Sequence, residues 1–219
     1  MCTCKTNVEM KKLEYRKDLK QYYEPDTKPE LIVMPSFKFF TIRGNGNPND
    51  EFFGDYIQVL YALSYAIKMS PKQGITPKGY FAYTVFPLEG VWDILDEAKA
   101  EFKGIIDKNT LVFNLMIRQP DFVSAEFANE IIELTKMKKK LALLDPVKFE
   151  SIEEGSCIQM MHIGPYDNEP ETFRKMETFS EESGYCRFSK LHREIYLADP
   201  RNTAPEKMKT VLRFQVKKV

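Results

Sequence analysis

Two stretches of this chain repeat one pattern at a fixed spacing of 120 residues, and this repetition limits the fold more than any other feature. Gly44 corresponds to Gly164, Phe53 to Phe173, Tyr56 to Met176 and Val59 to Phe179. In each copy a strand-like run ends at the glycine, a short loop follows, and apolar residues then recur at helical spacing. Self-similarity on this scale predicts an internal duplication. Two strand–helix–strand–strand units can join their sheets about a pseudo-twofold axis. The expected fold is therefore α+β, an antiparallel sheet with helices on one face. The seam between the halves is expected to form a central ligand cleft on the other face, because concave seams of this kind are natural ligand sites.

The pass along the chain supplies the parts. Leu13 to Tyr23 reads as a short polar helix, stopped at Glu24-Pro25-Asp26, since proline disfavours a helical residue before it. Lys28 to Pro35 is an extended lead-in, and Phe37 to Arg43 is a strand rich in aromatic and β-branched residues. After the loop at Gly44 to Pro48, Asn49 or Asp50 is expected to cap a helix running to about Met69. A strand is predicted over Tyr80 to Phe86, broken at Pro87-Leu88-Glu89-Gly90 and resuming at Val91 to Ile94. Asp96 to Asp107 is an acidic–basic connector. Leu111 to Arg118 is a strand with Leu111, Phe113, Leu115 and Ile117 on one face, followed by a helix over Val123 to Lys139. The second copy has strands at Val147 to Glu150 and Cys157 to Ile163 and a helix over Glu169 to Glu182. Its closing strands are His192 to Ala198 and Thr210 to Val216. The organisation is thus a helix and lead-in over 1–36 and one domain over 37–219. Within that domain, repeat 1 covers about 37–118, a connecting helix 119–146, and repeat 2 about 147–217.

Composition excludes several classes. The 219 residues carry a formal net charge of zero, which argues against nucleic acid or an anionic membrane as a direct partner. No apolar run approaches the ~18 residues of a spanning helix, and Met1 to Lys12 lacks the apolar stretch of a signal peptide. Cytoplasmic residence is the expectation, and a homodimer is compatible with it. Four cysteines are too few for a secreted disulfide scaffold. Cys157 with His162 and Cys186 with His192 could be drawn as a metal site. However, Cys157 and His162 stand five positions apart on one predicted strand and so point to opposite faces. No metal is expected, and the Cys2–Cys4 pair reads as a frayed tail. Walker loops, dinucleotide fingerprints, zinc motifs and nucleophile elbows are all missing from the sequence, so no cofactor is expected.

Strand parity then nominates residues. On His192 to Ala198, Arg193, Ile195 and Leu197 are expected against the helices, which turns His192, Glu194 and Tyr196 to the groove. The same argument puts Asn114, Met116 and Arg118 on the groove side. Glu89 and Trp92, the only tryptophan, flank a strand break. Tyr83, Phe86 and Trp92 are the aromatics placed nearest the groove.

At these residues the chain resembles the GyrI-like (DNA-gyrase-inhibitor-like) small-molecule-binding proteins. The resemblance rests on FKFFTIRGNGNP (Phe37–Pro48), PLEGVW (Pro87–Trp92), MIRQPDF (Met116–Phe122), HIGPYDNEP (His162–Pro170) and HREIYLADPR (His192–Arg201), and it runs from about Tyr15 onward. It implies the duplicated fold and a cleft for bulky aromatic or cationic compounds. In effector domains of related regulators a strand glutamate meets the ligand's charge, and Glu194 is the matching position. Stand-alone members of the subgroup are similar to cyclopropanoid hydrolases. Two positions depart from the pattern: Asp93 stands where a second aromatic often follows the tryptophan, and Arg193 where a second histidine often precedes the glutamate.

Two functions follow from this reading. In the first, Glu194 is a general base on water that opens a carbonyl-conjugated cyclopropane. Tyr83, Phe86 and Trp92 sandwich the substrate, Tyr196 or Arg118 stabilises the oxyanion, and Glu89, Met116, His162 and His192 complete the pocket. The alternative is a drug-binding, sequestering or sensor module without turnover. A third function, an inhibitor that docks on a macromolecule, is disfavoured by the neutral charge and the lack of an acidic tail.

Overall fold

The computed structural model describes residues 12–100 and 107–219. The Cys2–Cys4 tail and part of the 96–107 connector lie outside the described residues. Two four-residue turns of helix come first, α1 (Tyr15–Asp18) and α2 (Lys20–Tyr23). Strands β1 (Glu30–Met34) and β2 (Phe37–Asn45) lead to helix α3 (Phe53–Met69). Next come β3 (Leu88–Ile94), the short α4 (Asp96–Ala100), β4 (Leu111–Gln119) and α5 (Ala125–Lys138). The second half holds β5 (Lys148–Ile152), β6 (Gly155–Ile163), α6 (Glu169–Glu182), β7 (Tyr185–Arg187), β8 (His192–Tyr196) and β9 (Lys209–Lys218).

The duplication governs the sheet. Strand order is β1-β6-β9-β8-β3-β4-β2-β5, every neighbouring pair antiparallel, with β7 added along the end of β9. The order reads the same from either end if β6, β9 and β8 are taken as copies of β2, β4 and β3. The lead strands break ranks: β1 belongs by sequence to the first unit but pairs with β6, and β5 belongs to the second but pairs with β2. Each half thus donates its first strand to the other. The sheet curls, and helices α3, α5 and α6 pack on one face.

Cross-strand register fixes which residues share a face, because paired residues point the same way. Gly90 pairs with Leu115 and with Glu194, and Glu194 in turn with Leu212. Leu115 and Leu212 are core residues beneath the helices, so Glu194 stands on the helix-covered face, between α3 and α6. Glu89 pairs with Met116 and Ile195, and Val91 with Arg193. These residues, with Arg118, occupy the opposite face. The expectation is therefore reversed for β8 but holds for β4, whose Met116 and Arg118 do face away from the helices, so the expected set of Glu194 with Glu89, Met116 and Arg118 divides between the two faces. Parity within each strand was right, but the phase between strands is set by a register that sequence does not reveal.

Two local expectations also change. Among the described residues the predicted strand at Tyr80 to Phe86 makes one bridge, Tyr83 to Leu13, while β3 runs unbroken through Glu89 and Gly90. Pro87 sits just before the strand, where its missing N–H costs no ladder bond. Gly90 is there for space: a Cβ would lie 2.8 Å from Trp92 Nε1 and 3.2 Å from Leu115 Cδ2. The segment 13–26 is not a polar surface helix, since it buries Tyr23 among the core residues and stacks Tyr15 on Phe86. The equated glycines serve different ends. Gly44 leaves room for the rings of Phe113 and Tyr56, whereas Gly164 adopts φ +132°.

Candidate functional site

A chain of hydrogen bonds links β3 to β8 on the helix-covered face. Trp92 Nε1–H donates to Tyr196 Oη at 2.7 Å, and Tyr196 Oη–H donates to Glu194 Oε2 at 2.8 Å. His192 Nε2 lies 3.0 Å from the other oxygen, Oε1. Strand alternation places His192, Glu194 and Tyr196 in line, and Gly90 opposite Glu194 contributes no side chain. The Trp92 indole can therefore fold back over its own strand to reach the tyrosine. Burial, together with the Glu194 carboxylate, pushes the Tyr196 phenol well above its ordinary value, so it stays a donor.

Aromatic rings from both helices wall this chain. Phe53 of α3 stacks on Trp92 at 6.0 Å, and Phe173 of α6 meets His192 edge-on at 4.8 Å. Trp92 and His192 are themselves cross-strand partners, so the duplicated phenylalanines flank the two members of one central pair. Tyr166, half-exposed, packs edge-on against Tyr196 at 6.0 Å. Glu169, the first residue of α6, is buried, and among the described residues its Oε1 has no hydrogen-bond partner. Burial first, then the charge of Glu194, raises Glu169 well above the usual carboxylate range.

The other nominated residues lie elsewhere or are engaged. His162 is on the same face but buried, with Nδ1 2.9 Å from Thr172 Oγ1 and Nε2 3.1 Å from the Pro165 carbonyl. It fastens the loop that presents Tyr166 and Glu169. Glu89 is buried on the far face, where its Oε2 accepts from Arg193 Nη1 at 2.7 Å and its Oε1 from Tyr23 Oη at 3.4 Å. Arg193 also donates to Glu154, which accepts from Arg213 in turn. Burial raises Glu154, but the two guanidiniums outweigh it and hold it below its ordinary range. Met116 lies within this network, its Sδ 3.0 Å from Arg193 Nη1. Arg118 is sandwiched between Phe37 at 3.4 Å and Phe86 at 4.8 Å. Tyr83 and Phe86 pack with each other, and Phe86 with the N-terminal tyrosines. The expected sandwich of Tyr83, Phe86 and Trp92 is thus not assembled; Phe53, Phe173 and Tyr166 stand around the Glu194 chain instead. Cys157 is on the far face from His162 and burial pushes its thiol up to about 12. A cavity of about 370 Å³ opens on the far face beside Asn114, Met116 and Arg193, and one of about 430 Å³ lies along α3 at Tyr61 and Tyr65.

Sequence reasoning overlooked Phe53, Phe173, Tyr166 and Glu169 as site residues. The signal was present: the two phenylalanines are the duplicated pair, and Tyr166 and Glu169 fall inside HIGPYDNEP.

The GyrI-like small molecule binding domain profile matches residues 27–217. The chain belongs to the GyrI-like family. Among solved structures it is similar to a hydrolase from Listeria innocua, with 36% identity and a TM-score of 0.84, covering 94% of this chain and 100% of the other. An uncharacterized conserved protein from Listeria innocua is similar at 39% identity, a TM-score of 0.84 and the same coverage. The EcmrR C-terminal domain, at 16% identity and a TM-score of 0.51, covers 88% of this chain and 98% of the other and shares the fold. No protein with a curated description matches. Both departures from the family pattern fall on the far face: Arg193 binds Glu89 and Glu154, and Asp93, at the same parity as Glu89, pairs with Lys99 at 2.7 Å. As a GyrI-like domain the protein binds small molecules, and among the described residues no helix is long and apolar enough to cross a membrane.

Proposed function

We propose that the protein is a cofactor-independent hydrolase that opens a carbonyl-conjugated cyclopropane in planar, DNA-alkylating compounds, and that the aromatic-walled site at Glu194 between α3 and α6 forms its ligand cleft and active site. The observation that carries this reading is the Trp92–Tyr196–Glu194 chain between two aromatic walls. A carboxylate held at both oxygens by Tyr196 and His192 is oriented to take a proton from water. The water oxygen bonds to the strained ring carbon and a ring C–C bond breaks. The electron pair moves through the conjugated system to the carbonyl oxygen, which takes up a proton. Tyr196 gives its single O–H to Glu194 and so orients the base; it is not the donor that stabilises the developing oxyanion. Arg118, on the far face, is also left out of this role. Phe53, Trp92 and Phe173 offer flat apolar surface to a flat substrate. That two of the similar Listeria innocua proteins are described as hydrolases supports the reading.

Glu194→Gln tests it, because shape and hydrogen-bonding capacity remain while the base is lost. Turnover of a cyclopropane-bearing alkylator, followed by mass spectrometry, should fall by roughly two orders of magnitude or more, with little loss of affinity for a neutral substrate. No turnover by the wild-type protein, with saturable binding of the same compound, would make it a sequestering module instead.

A further inference from the structure

We propose that Glu169 and Glu194 form a carboxyl–carboxylate dyad holding one proton, carried by Glu169 and donated to Glu194, so that the cleft presents a single negative charge to its ligand. The proposal deepens the reading of this cleft as the ligand site, and its consequence for binding rests on that reading.

The geometry leaves Glu169 few alternatives. Its residue is only 7% exposed, and among the described residues its Oε1 has no hydrogen-bond partner and no lysine or arginine pairs with it. Its neighbours are Glu194 and Tyr196 of β8, with Tyr166 and Asp167 of the preceding loop. Asp167 adds a further negative charge, itself tied to Lys108 at 3.4 Å. His192 faces the other oxygen of Glu194, and His162 of β6 has both ring nitrogens engaged. Trp92 of β3 and Phe53 of α3, the remaining neighbours of the Glu194 chain, carry no titrating group. Phe173, one turn further along α6 on the same face, meets His192, and Tyr166 meets Tyr196, which sets Glu169 over the Glu194 stretch of β8. Two carboxyl groups brought together in an apolar site do not both ionise, so one keeps its proton. Glu194 already accepts from Tyr196, which marks it as the carboxylate and Glu169 as the acid. The acid then supplies Glu194 with a further donor and makes Glu169 a positioning residue that acts through Glu194.

A ligand cation placed against Glu194 favours the doubly ionised pair and expels the proton. By linkage, affinity for a monocation rises with pH, up to about tenfold per pH unit while Glu169 remains protonated. A neutral ligand of the same shape shows no such rise.

Infrared titration of the whole protein tests the dyad without a ligand. The C=O stretch of a protonated carboxylic acid should persist above about pH 7, where an ordinary glutamate is long ionised. It should vanish in Glu169→Gln and titrate at lower pH in Glu194→Gln, where the neighbouring charge is gone. No such band above neutral pH, or a band that Glu194→Gln leaves unmoved, overturns the proposal. The Glu194→Gln comparison stands whether or not Glu169→Gln folds. For binding, the probes are 1-methylquinolinium and neutral 1-methylnaphthalene between about pH 7 and 9, above the ordinary histidine range. Affinity for the cation should climb in the wild type and stay flat in Glu169→Gln. A flat wild-type profile overturns the proton release. If neither probe binds, the cleft reading is at fault, and the infrared band still decides the dyad in either direction.

Discussion

Replacing Gly90 with alanine is the sharpest structural perturbation of the site, because two effects oppose each other in sign. In a strand, alanine is favoured over glycine by about 0.5–1 kcal/mol through backbone entropy. Here the new Cβ would stand 2.8 Å from Trp92 Nε1 and 3.2 Å from Leu115 Cδ2. The indole cannot simply swing aside. It donates to Tyr196 at 2.7 Å, stacks on Phe53 at 6.0 Å and packs on Phe113 at 5.5 Å. Displacing it forfeits about 0.5–1.5 kcal/mol for the buried hydrogen bond and a similar amount for an aromatic pair. Holding it in place instead costs about 1–3 kcal/mol of overpacking. Either way the clash wins, leaving a net loss of roughly 1–2 kcal/mol and a melting temperature lower by roughly 2–8 °C for a chain of this size. Because Trp92 is the only tryptophan, its emission reports the same event, and a red shift should accompany the loss. Turnover should fall as well, since Tyr196 loses the donor that orients it. Gly90→Ala with raised stability and unchanged emission would refute the claim that glycine is needed there for the indole.

Tyr196→Phe breaks the link between Trp92 and Glu194. It should lower turnover more than ten-fold while affinity for a planar neutral ligand, measured by Trp92 quenching, changes little. Arg193→Met leaves buried Glu89 without its charge partner and Glu154 with Arg213 alone, and denaturant unfolding should show a loss of about 3–5 kcal/mol. With its thiol pushed up to about 12, Cys157 should react with a thiol reagent only on unfolding, whereas the half-buried Cys186 reacts in the native state.

The elements and the duplication were legible because they rest on local periodicity: α6 lies over Glu169–Glu182 as its apolar spacing predicts. Membership of the Glu194 set was legible for the same reason, since His192, Glu194 and Tyr196 alternate on one strand. What could not be read was register. Whether Glu194 or Arg193 shares a face with Leu115 depends on the pairing of β8 with β3, whose partners Gly90 and Glu194 stand about 100 residues apart, and a slip of one residue inverts the answer. Glu89 misled because it stands three positions from Trp92, on the opposite face, and turns out to be the partner of a buried arginine. The exchange of β1 and β5 was equally hidden, because both strands sit beside their own units in sequence and bond to the other in space.

The separation of faces leads to a last prediction, concerning pH. An acid raised by folding binds its proton more tightly in the native state, so its contribution to stability is present at low pH. That contribution is lost as pH rises from its unfolded value of about 4.3 to its native value. Glu169 is raised by burial and by Glu194, so wild-type stability should decline through that window on its account. Glu169→Gln, neutral at every pH, should remove the decline and become progressively more stable than the wild type as pH rises above about 5. Glu154 on the far face has the opposite sign. Its native range is lowered by Arg193 and Arg213, so its contribution is full at neutral pH and lost as acid protonates it below the unfolded value. Chemical denaturation at a series of pH values separates the two, because Glu169→Gln should change only the slope above about pH 5 and leave the acid limb in place. A Glu169→Gln profile parallel to the wild type at every pH would mean that Glu169 is ionised in the native protein. The carboxylate at Glu194 would then face a second full charge rather than a proton donor.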